Sequence, residues 1–392
     1  MPHLRPLRPL AIALLCCAAA LNACGGGDGP AAEAPPAAPA EPWQWQLPAG
    51  FAPPVVPADN PMSPAKVELG RHLFHDARLS GNGTQSCAGC HAAERAFGDS
   101  RSVARGSTGQ NHPRNAPPLI NIAYHLSLDW AKPAPRTLEE QMHTPLFGTQ
   151  PVEMGVNDGN REQVLERLRR DAAYPARFAA AFGGAAAAID WDNVIKAIAA
   201  FERSLIAAGS RHDQAQAGQI TLTPAEQRGQ RLFFGERARC AACHGGPNFS
   251  GQFASLNGVA LSPAFHNIGL YNLDGQGAYP APNRGVFEVS GRAEDMGRFR
   301  APSLRNVALT APYFHDGSVA TLEAVLDIHA AGGRQIGNGP YAGDGRANPF
   351  KDPLIDQITL DAQDKADLLA FLQALTDPAI ATEPRFADPF AP

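Results

Sequence analysis

One five-residue motif, Cys-x-x-Cys-His, occurs twice in this chain and limits its fold and chemistry more than any other feature. It spans residues 87–91 and again residues 240–244. This pattern is the attachment signature of a c-type haem, whose vinyl groups form thioethers with both cysteines while the histidine ligates the iron. The sequence therefore predicts two covalently bound haem c groups, held by Cys87, Cys90 and His91 and by Cys240, Cys243 and His244.

Zinc and disulfide bonds are the alternative uses of these four cysteines. Four thiolates could bind one zinc ion. However, each cysteine pair is followed directly by a histidine, and this repeated arrangement fits haem attachment better than a zinc ribbon. We therefore expect His91 to ligate the first iron and His244 to ligate the second.

The N-terminus has the pattern of a secretion signal. Arg5 and Arg8 precede an apolar stretch from 10 to 20, which is too short to span a membrane comfortably as a permanent helix. Residues 21–24, Leu-Asn-Ala-Cys, resemble a bacterial lipoprotein cleavage box, and Cys24 would then carry the lipid. Ordinary cleavage near residue 23 is the alternative. Both possibilities export the chain, and the expected location is the periplasm, with a lipid anchor on Cys24.

Composition supports folded domains and excludes one class of partner. The 392 residues allow two or three domains, and the 44% apolar content is enough for a core. The formal net charge is −5, so nothing indicates nucleic-acid binding. Residues 25–42 consist mainly of Gly, Ala, Pro and Glu, which predicts a flexible tether rather than a packed segment.

The haem motifs lie inside a longer internal repeat. Residues 116–121 (APPLIN) match 301–306 (APSLRN), and residues 137–139 (TLE) match 321–323 at nearly the same offset. A near-constant offset over two separated motifs indicates a duplication. Apolar residues at helical spacing predict a mainly α fold without long strands, with helices over 63–73, 158–170, 191–206, from 223 onward and over 361–375.

Several motifs together resemble the bacterial di-haem cytochrome c peroxidase and MauG superfamily. They are Leu-Gly-Arg at 69–71, Arg-Asn-Ala-Pro at 114–117, Pro-Val-Glu-Met-Gly at 151–155, Ala-Phe-Glu-Arg-Ser-Leu at 200–205 and Tyr-Phe-His-Asp-Gly at 313–317. The resemblance covers roughly 60–380 and implies two tandem cytochrome c-like domains, each with one covalent haem. It further implies that the first haem reacts with hydrogen peroxide and that the second relays electrons.

The sequence patterns and the resemblance together suggest boundaries along the chain. These are a signal peptide over 1–23, a tether over 24–45, a peroxide-reactive haem domain over 46–206, a linker over 207–220, an electron-transfer haem domain over 221–380 and a tail over 381–392.

The resemblance implies a catalytic pair at the first haem, Gln141 and Glu153. A carboxylate there can take a proton from one peroxide oxygen and deliver it to the other. The spacing of these two residues is longer than is typical of the family, which leaves the loop 144–151 in question. The alternative for Glu153 is a solvated loop carboxylate.

Typical peroxidases of the superfamily place a histidine over the resting peroxide-reactive haem, eight residues before the position of Asn115. Ser107 occupies that place here. His112 is nearby but displaced, and we interpret it as a loop histidine rather than a ligand. This departure favours a permanently open haem, as in MauG.

The second haem requires a sixth ligand, which the resemblance places 14 residues after His315, at His329. Met296 is a competing ligand, and His329 as a plain surface histidine is a further alternative. A His–His iron has a lower potential than a His–Met iron because imidazole is the stronger donor.

Two further sites follow from the resemblance. Trp130 falls where the family keeps an indole between the haems, the alternative being an ordinary buried tryptophan. Asn115, with the backbone carbonyls of Thr310 and Pro312, matches a calcium site between the domains, and oxygen ligands suit calcium.

Several stretches look closest to the MauG-like enzymes of the MbnH type, among them 112–115 (HPRN), 128–131 (LDWA) and 145–148 (PLFG). Enzymes of that type oxidise a tryptophan on a copper-binding partner protein. The expected activity is therefore peroxide-dependent oxidation of a partner's side chain, and the expected partner class is a copper-binding lipoprotein. The alternatives are a peroxidase that uses a small redox-protein donor and a non-enzymatic di-haem electron carrier.

Overall fold

The computed structural model describes residues 42–184, 187–207, 209–261 and 264–391. The signal peptide, Cys24 and nearly all of the tether lie outside these residues, so their predictions are not addressed by the fold. The described residues belong to one compact unit. None of the helices in it is both long and apolar enough to cross a bilayer.

The described part of the chain is mainly helical, as predicted. Its α-helices are α1 Pro64–His75, α2 Leu138–Gln141, α3 His143–Phe147, α4 Arg161–Arg169, α5 Tyr174–Phe182, α6 Trp191–Ser204, α7 Arg211–Gln216, α8 Pro224–Phe234, α9 Cys240–Cys243, α10 Phe287–Ser290, α11 Leu322–Ala330 and α12 Ala362–Ala374. Short strands form three two-stranded antiparallel sheets, β1 Phe253–Ser255 with β2 Gly258–Leu261, β3 Phe265–His266 with β4 Phe299–Arg300, and β5 Gln335–Ile336 with β6 Gly343–Asp344.

Local sequence explains where the principal helices begin. The Ser63 hydroxyl accepts a hydrogen bond from the first turn of α1, and a proline occupies the first helical position. Thr223 and Glu226 form a capping box at the start of α8. Helix α4 begins three residues later than predicted, because the Asn157 side chain closes a turn onto the backbone N–H of Gly159.

Two helix pairs show that the sequence repeat has a structural counterpart. Helix α1 packs on α6, and α8 packs on α12. Gly70 permits the first contact, because a Cβ there would lie 1.9 Å from the carbonyl oxygen of Ala197. Gly229 permits the second, because a Cβ there would lie 2.0 Å from the carbonyl oxygen of Asp367. Both halves therefore bring their helices together through a glycine at the same place in α1 and α8.

An asparagine fixes the same loop in each half. Asn121 and Asn306 both adopt left-handed backbone conformations, with φ of 58° and 57°. Each side-chain oxygen accepts a backbone hydrogen bond, from Ala207 at 2.8 Å in the first half and from Asp377 at 2.7 Å in the second. Asparagine tolerates this conformation better than most residues. The two halves therefore share one scaffold down to individual hydrogen bonds.

The core of each half is built around three phenylalanines. Their rings lie 5.1–6.3 Å apart in the first half and 5.4–6.2 Å apart in the second. The residues are Phe74, Phe97 and Phe201 in the first core and Phe233, Phe249 and Phe371 in the second. These clusters lie beside the two Cys-x-x-Cys-His motifs, and the first residues of each motif pack against them.

The segment from 207 to 220, predicted as a linker, contains α7 and packs against the second core. The His212 ring lies 5.2 Å from that of Phe249. The Asp213 carboxylate forms two hydrogen bonds to the Arg305 guanidinium, at 2.9 and 3.0 Å, and both side chains are almost fully buried. The segment is therefore packed into the folded structure. The domain boundaries remain a prediction.

Candidate functional site

The first Cys-x-x-Cys-His motif holds its histidine in a defined orientation. Cys87 to Gly89 form a single 3₁₀ turn, which sets the two thiols side by side. The Nδ1 of His91 lies 2.8 Å from the carbonyl oxygen of Phe97. A carbonyl oxygen can only accept, so Nδ1 carries the proton and Nε2 is left free to bind a metal. Burial lowers the pKa of His91, which keeps the ring neutral as a ligand must be.

The second motif repeats this arrangement on α9. The Nδ1 of His244 lies 3.2 Å from the carbonyl oxygen of Phe249 and 3.1 Å from that of Pro302. Burial, together with the nearby His329, lowers the pKa of His244 to about 4. His244 is therefore a neutral imidazole whose Nε2 is free. A hydrogen bond from the other ring nitrogen to a carbonyl is the usual support for a metal-bound histidine.

The four cysteines of the motifs are all free thiols, which removes the disulfide alternative. Within residues 42–391, as far as they are described, no group of three or more His, Cys, Asp or Glu side chains converges as a metal site would require. The zinc alternative therefore has no geometry to support it. Burial raises the pKa of Cys240 to about 12 and that of Cys243 to about 11, so these thiols stay protonated at neutral pH.

A large cavity opens beside the second motif. Its empty volume, counted with its open mouth, is about 1360 Å³, and its lining is mostly apolar. His244 and His329 both line it. The Nδ1 of His329 lies 2.8 Å from the carbonyl oxygen of Val325, one turn earlier on α11, so its Nε2 is free as well. Met296 is not among the lining residues; it packs at the edge of a neighbouring apolar cluster.

Two arginines in the cavity wall have environments that can be compared with the needs of a bound haem. Arg300 is buried, and burial lowers its pKa to about 10, with Asp129 acting in the opposite direction. The Nε of Arg239 is buried and has no hydrogen-bond partner within the described residues. A buried cation and an unsatisfied donor both require an anion. The two propionates of a haem would supply one, so the residues of this cavity fit the group.

Glu153 lies on the loop after α3, and its backbone is held from two sides. The backbone N–H of Ser107 donates to the Glu153 carbonyl at 2.7 Å, and that of Met154 donates to the Pro145 carbonyl at 2.9 Å. Ser107, the residue at the expected lid position, therefore contacts the backbone of the predicted catalytic residue. The predicted loop 144–151 is partly helical, since α3 extends to Phe147.

The Glu153 carboxylate has a histidine partner that the sequence analysis interpreted as a loop residue. The Nε2 of His112 lies 3.3 Å from Oε1 of Glu153. The backbone N–H of Arg114 donates to Nδ1 of the same ring at 3.1 Å, so the ring proton belongs on Nε2 and faces the carboxylate. The two side chains are 24% and 30% exposed, which suits a site that small molecules can reach. Nothing in the local sequence relates these residues, because two separate loops bring them together.

Gln141 is the last residue of α2 and is half-buried. Within the described residues its side chain forms no hydrogen bond to Glu153, and the pairing of the two remains a prediction.

The two halves differ at the position of the sixth ligand. Helix α11 runs unbroken from Leu322 to Ala330 and presents His329. The matching stretch of the first half breaks at Met142 into α2 and α3, and the repeat aligns Pro145 with His329. Proline has no side-chain donor for a metal. The described scaffold therefore places His329 opposite His244 at the second site, whereas the matching position at the first site is a proline.

Trp130 lines the second cavity. Its indole N–H donates to the Asn115 carbonyl at 2.8 Å, and the Arg300 guanidinium lies 5.7 Å from its ring. The backbone N–H of Asn115 in turn donates to the His315 carbonyl at 2.8 Å. His315 also lines the cavity, and its buried Nε2 has no partner in the described structure. The tryptophan is thus tied to both halves of the chain.

The predicted calcium ligands have mixed environments. The Asn115 side-chain amide donates to the carbonyls of Arg101 and Ser102, at 2.9 and 3.3 Å, which orients its Oδ1 away from them. No hydrogen bond to that Oδ1 occurs in the described residues. The Thr310 hydroxyl donates a hydrogen bond to the Val307 carbonyl at 3.0 Å. Pro312 lies two residues further along the chain.

Comparison with known proteins identifies the family. The family model described as di-haem cytochrome c peroxidase matches residues 64–221, and a RoxA-like, cytochrome c-like model matches residues 298–331. A cytochrome-c peroxidase of Denitromonas iodatirespirans is 35% identical, over 100% of this chain and 99% of its own length. The methylamine utilization protein MauG of Methylorubrum extorquens is 33% identical, over 84% of this chain and 83% of its own.

A solved structure matches more closely. A MauG-like protein associated with microbial copper homeostasis is 54% identical, with a TM-score of 0.87, over 89% of this chain and 100% of that protein. These relatives are matched along most of their length. The chain is therefore a peroxidase-type oxidoreductase of the di-haem cytochrome c peroxidase and MauG family, whose cofactors are haem c.

Proposed function

We propose that this enzyme uses hydrogen peroxide to oxidise an aromatic side chain on an exported partner protein, in the manner of MauG. The observation that carries the proposal is the similarity to the MauG-like protein associated with copper homeostasis, at 54% identity and a TM-score of 0.87. The geometry of the first site agrees, because it has a carboxylate–histidine pair and a proline where the second site has His329. A copper-binding lipoprotein is the partner class that this similarity suggests.

Each half of the chain would hold one covalent haem. Cys87 and Cys90 would attach the first, with His91 as its ligand. Cys240 and Cys243 would attach the second, whose ligands would be His244 and His329. When bound, the haems supply iron that exchanges electrons with peroxide and with reductants. His329 is preferred to Met296 as the sixth ligand because His329 lines the cavity with a free Nε2.

Glu153 would move the proton that peroxide cleavage requires. A carboxylate can accept the proton from one oxygen and return it to the departing one, which then leaves as water. The Nε2 of His112 lies 3.3 Å from this carboxylate and would hold it in place between the two steps. Gln141 would contribute an amide donor to the same pocket, reached from the end of α2.

Trp130 would assist electron movement between the two halves, since its ring lines the second cavity and its N–H is tied to Asn115. A calcium ion would bind to the Oδ1 of Asn115 with the backbone carbonyls of Thr310 and Pro312, since hard oxygen ligands suit this ion. Both roles go beyond family membership and belong to the proposal.

The enzyme would act at the surface of a membrane in the periplasm. Export by the N-terminal signal and lipidation of Cys24 would leave the tether over 24–45 between the membrane and the folded unit. A partner that is itself a lipoprotein would then meet the enzyme on the same surface.

The test is to mix the purified enzyme with peroxide and each protein encoded beside it, and to weigh the proteins by mass spectrometry. We expect a partner to gain oxygen on a tryptophan or tyrosine, with no such gain when peroxide is omitted. Rapid oxidation of a reduced cytochrome with no mass change on any partner would show a plain peroxidase, as the 35% identity to a cytochrome-c peroxidase allows. Two low-spin haems that do not react with peroxide would show an electron carrier.

A further inference from the structure

Three tyrosines form a continuous path from the second cavity to the protein surface. Tyr279 lines the cavity, and its ring lies 5.4 Å from that of the buried Tyr271. The Tyr271 ring lies 5.9 Å from that of Tyr341, which is 49% exposed on the loop between β5 and β6. Aromatic rings at these centroid distances are in contact. Solvent and cavity are thus joined by three phenol rings in edge-to-face contact.

The surroundings of Tyr271 suit a residue that loses an electron and a proton together. Its hydroxyl donates a short hydrogen bond to a carboxylate oxygen of Asp316. The Arg334 guanidinium lies 4.6 Å from the centre of its ring. A cation beside the ring opposes a second positive charge there, so an electron can leave only if the phenol proton leaves as well. Asp316 is the base placed to receive that proton.

Tyr279 has a different environment. Its hydroxyl donates to the neutral side-chain oxygen of Asn267 at 2.7 Å and accepts from the backbone N–H of Leu270 at 3.0 Å. An amide oxygen is too weak a base to take a phenol proton. Tyr279 therefore suits the role of a bridge between Tyr271 and the cavity, while Tyr271 suits the role of a stable radical site.

We propose that Tyr271 is a redox-active residue that carries electrons from the surface at Tyr341 to the second cavity. This inference rests on the proposed function, because peroxide is its oxidant: one H₂O₂ with two protons and two electrons gives two waters. In each transfer Tyr271 loses one electron toward the cavity and its phenol proton to Asp316, and becomes a neutral radical. One electron from a donor at Tyr341, with the proton returned from Asp316, restores it.

The relay would explain how a partner protein that is too large to enter the cavity could still be oxidised. A folded partner is too large to enter the cavity, whose lining includes Trp130, Phe299 and Tyr279. An exposed tyrosine at the end of a chain of rings allows the partner to be oxidised without contact between its side chain and the cavity. The donor is any one-electron reductant that can approach Tyr341, an aromatic side chain included.

The chain offers a matched control. The Tyr174 hydroxyl donates to an oxygen of Asp76 at 2.9 Å, and the Arg78 guanidinium lies 5.8 Å from its ring. This group therefore has the same three components as Tyr271 with Asp316 and Arg334. It lies in the first core, against Phe178, and no ring contact joins it to a tyrosine at the surface within the described residues.

The test uses the full holoenzyme, grown with ordinary or ring-deuterated tyrosine, mixed with peroxide without a donor and frozen rapidly. We expect a tyrosyl radical signal in EPR whose hyperfine pattern narrows on deuteration. The signal should be lost in Tyr271→Phe and in Asp316→Asn and be retained in Tyr174→Phe. An undiminished signal in Tyr271→Phe, or equal loss in Tyr174→Phe, would overturn the relay.

A second arm separates the relay from the peroxide reaction. A flash-generated ruthenium(III) tris-bipyridine oxidant replaces peroxide in the same samples. A Tyr271-dependent radical with ruthenium but not with peroxide would support the relay and contradict the proposed function. Absence of a Tyr271-dependent radical with both oxidants would contradict the relay, whatever the peroxide reaction proves to be.

Discussion

The Nε2 of His112 lies 3.3 Å from a carboxylate oxygen of Glu153, and the backbone of Arg114 fixes the ring so that its proton faces that oxygen. The imidazole therefore restricts the orientation of the Glu153 carboxylate. The pair is therefore expected to behave as a unit.

Replacing Glu153 with Gln removes the base while the side chain keeps its size. We expect both haems to remain bound and the reaction with peroxide to slow by about 10²-fold or more, the scale of a lost general acid–base group. Stopped-flow spectroscopy measures this rate. Glu162→Gln, on an exposed face of α4, is the control and should react normally. Unchanged kinetics in Glu153→Gln would remove this residue from the mechanism.

Replacing His112 with Ala removes the donor that holds the carboxylate. A hydrogen bond to a charged group is worth about 1.5–3 kcal/mol, so we expect a slowing of about tenfold or more. His112→Gln keeps a donor and should recover part of the rate. Because the two residues act together, Glu153→Gln with His112→Ala should be no slower than Glu153→Gln alone. Simple multiplication of the two effects would show that they are independent.

Replacing His329 with Ala should convert one low-spin haem to high-spin, because its Nε2 is then no longer available to the second iron. Absorption and EPR spectra of the ferric enzyme measure the spin state. Met296→Ala is the paired variant and should leave the spectrum unchanged. The reverse outcome, with loss of the low-spin signal only in Met296→Ala, would assign the ligand to the methionine.

Replacing Asp213 with Asn leaves the Arg305 guanidinium buried without its charge partner. Breaking a buried ion pair in this way costs about 3–5 kcal/mol in the free energy of unfolding. Urea unfolding followed by circular dichroism measures it. Asp158→Asn removes a fully exposed partner of Arg161 and should change stability very little. Equal effects of the two substitutions would contradict the structural role given to α7.

The same ion pair predicts a pH dependence. Burial alone would raise the pKa of Asp213, but the hydrogen bonds and charge of Arg305 outweigh it and the net pKa is lowered. A carboxyl with a lowered folded-state pKa stabilises the fold fully above its unfolded value of about 3.9 and loses that effect as the pH falls through the lowered pKa. Asp213→Asn should therefore cost most at neutral pH and least in strong acid.

Local motifs and the repeat were readable from the sequence. The Cys-x-x-Cys-His motif indicates a covalently bound haem c. The match of residues 116–121 to 301–306 predicts that Asn121 and Asn306 have equivalent roles. The pairing of His112 with Glu153 was not readable, because it depends on how two loops pack. The burial of Asp213 could not be predicted from the sequence for a similar reason. Its partner Arg305 lies far along the chain, and no local pattern links the two residues.

The path from Tyr279 to Tyr341 is a further feature that could not be predicted from the sequence. Its rings come from a loop, a strand-flanking segment and the connection between β5 and β6, and none has a sequence signature. Only packing brings phenol rings into a row. A carboxylate next to Tyr271 adds chemistry that spacing could not indicate, because Asp316 belongs to a motif that family resemblance explains in other terms.

The glycine contacts, paired asparagines and phenylalanine clusters are the same in both halves, while α11 is continuous and its counterpart is broken before Pro145. The presence of His329 in one half and Pro145 in the other is therefore a difference in one turn of helix rather than in the scaffold around it. Exchange of residues 142–147 with 326–331 would therefore be expected to exchange which half offers a second histidine, while Glu153 and His112 would remain in the first half.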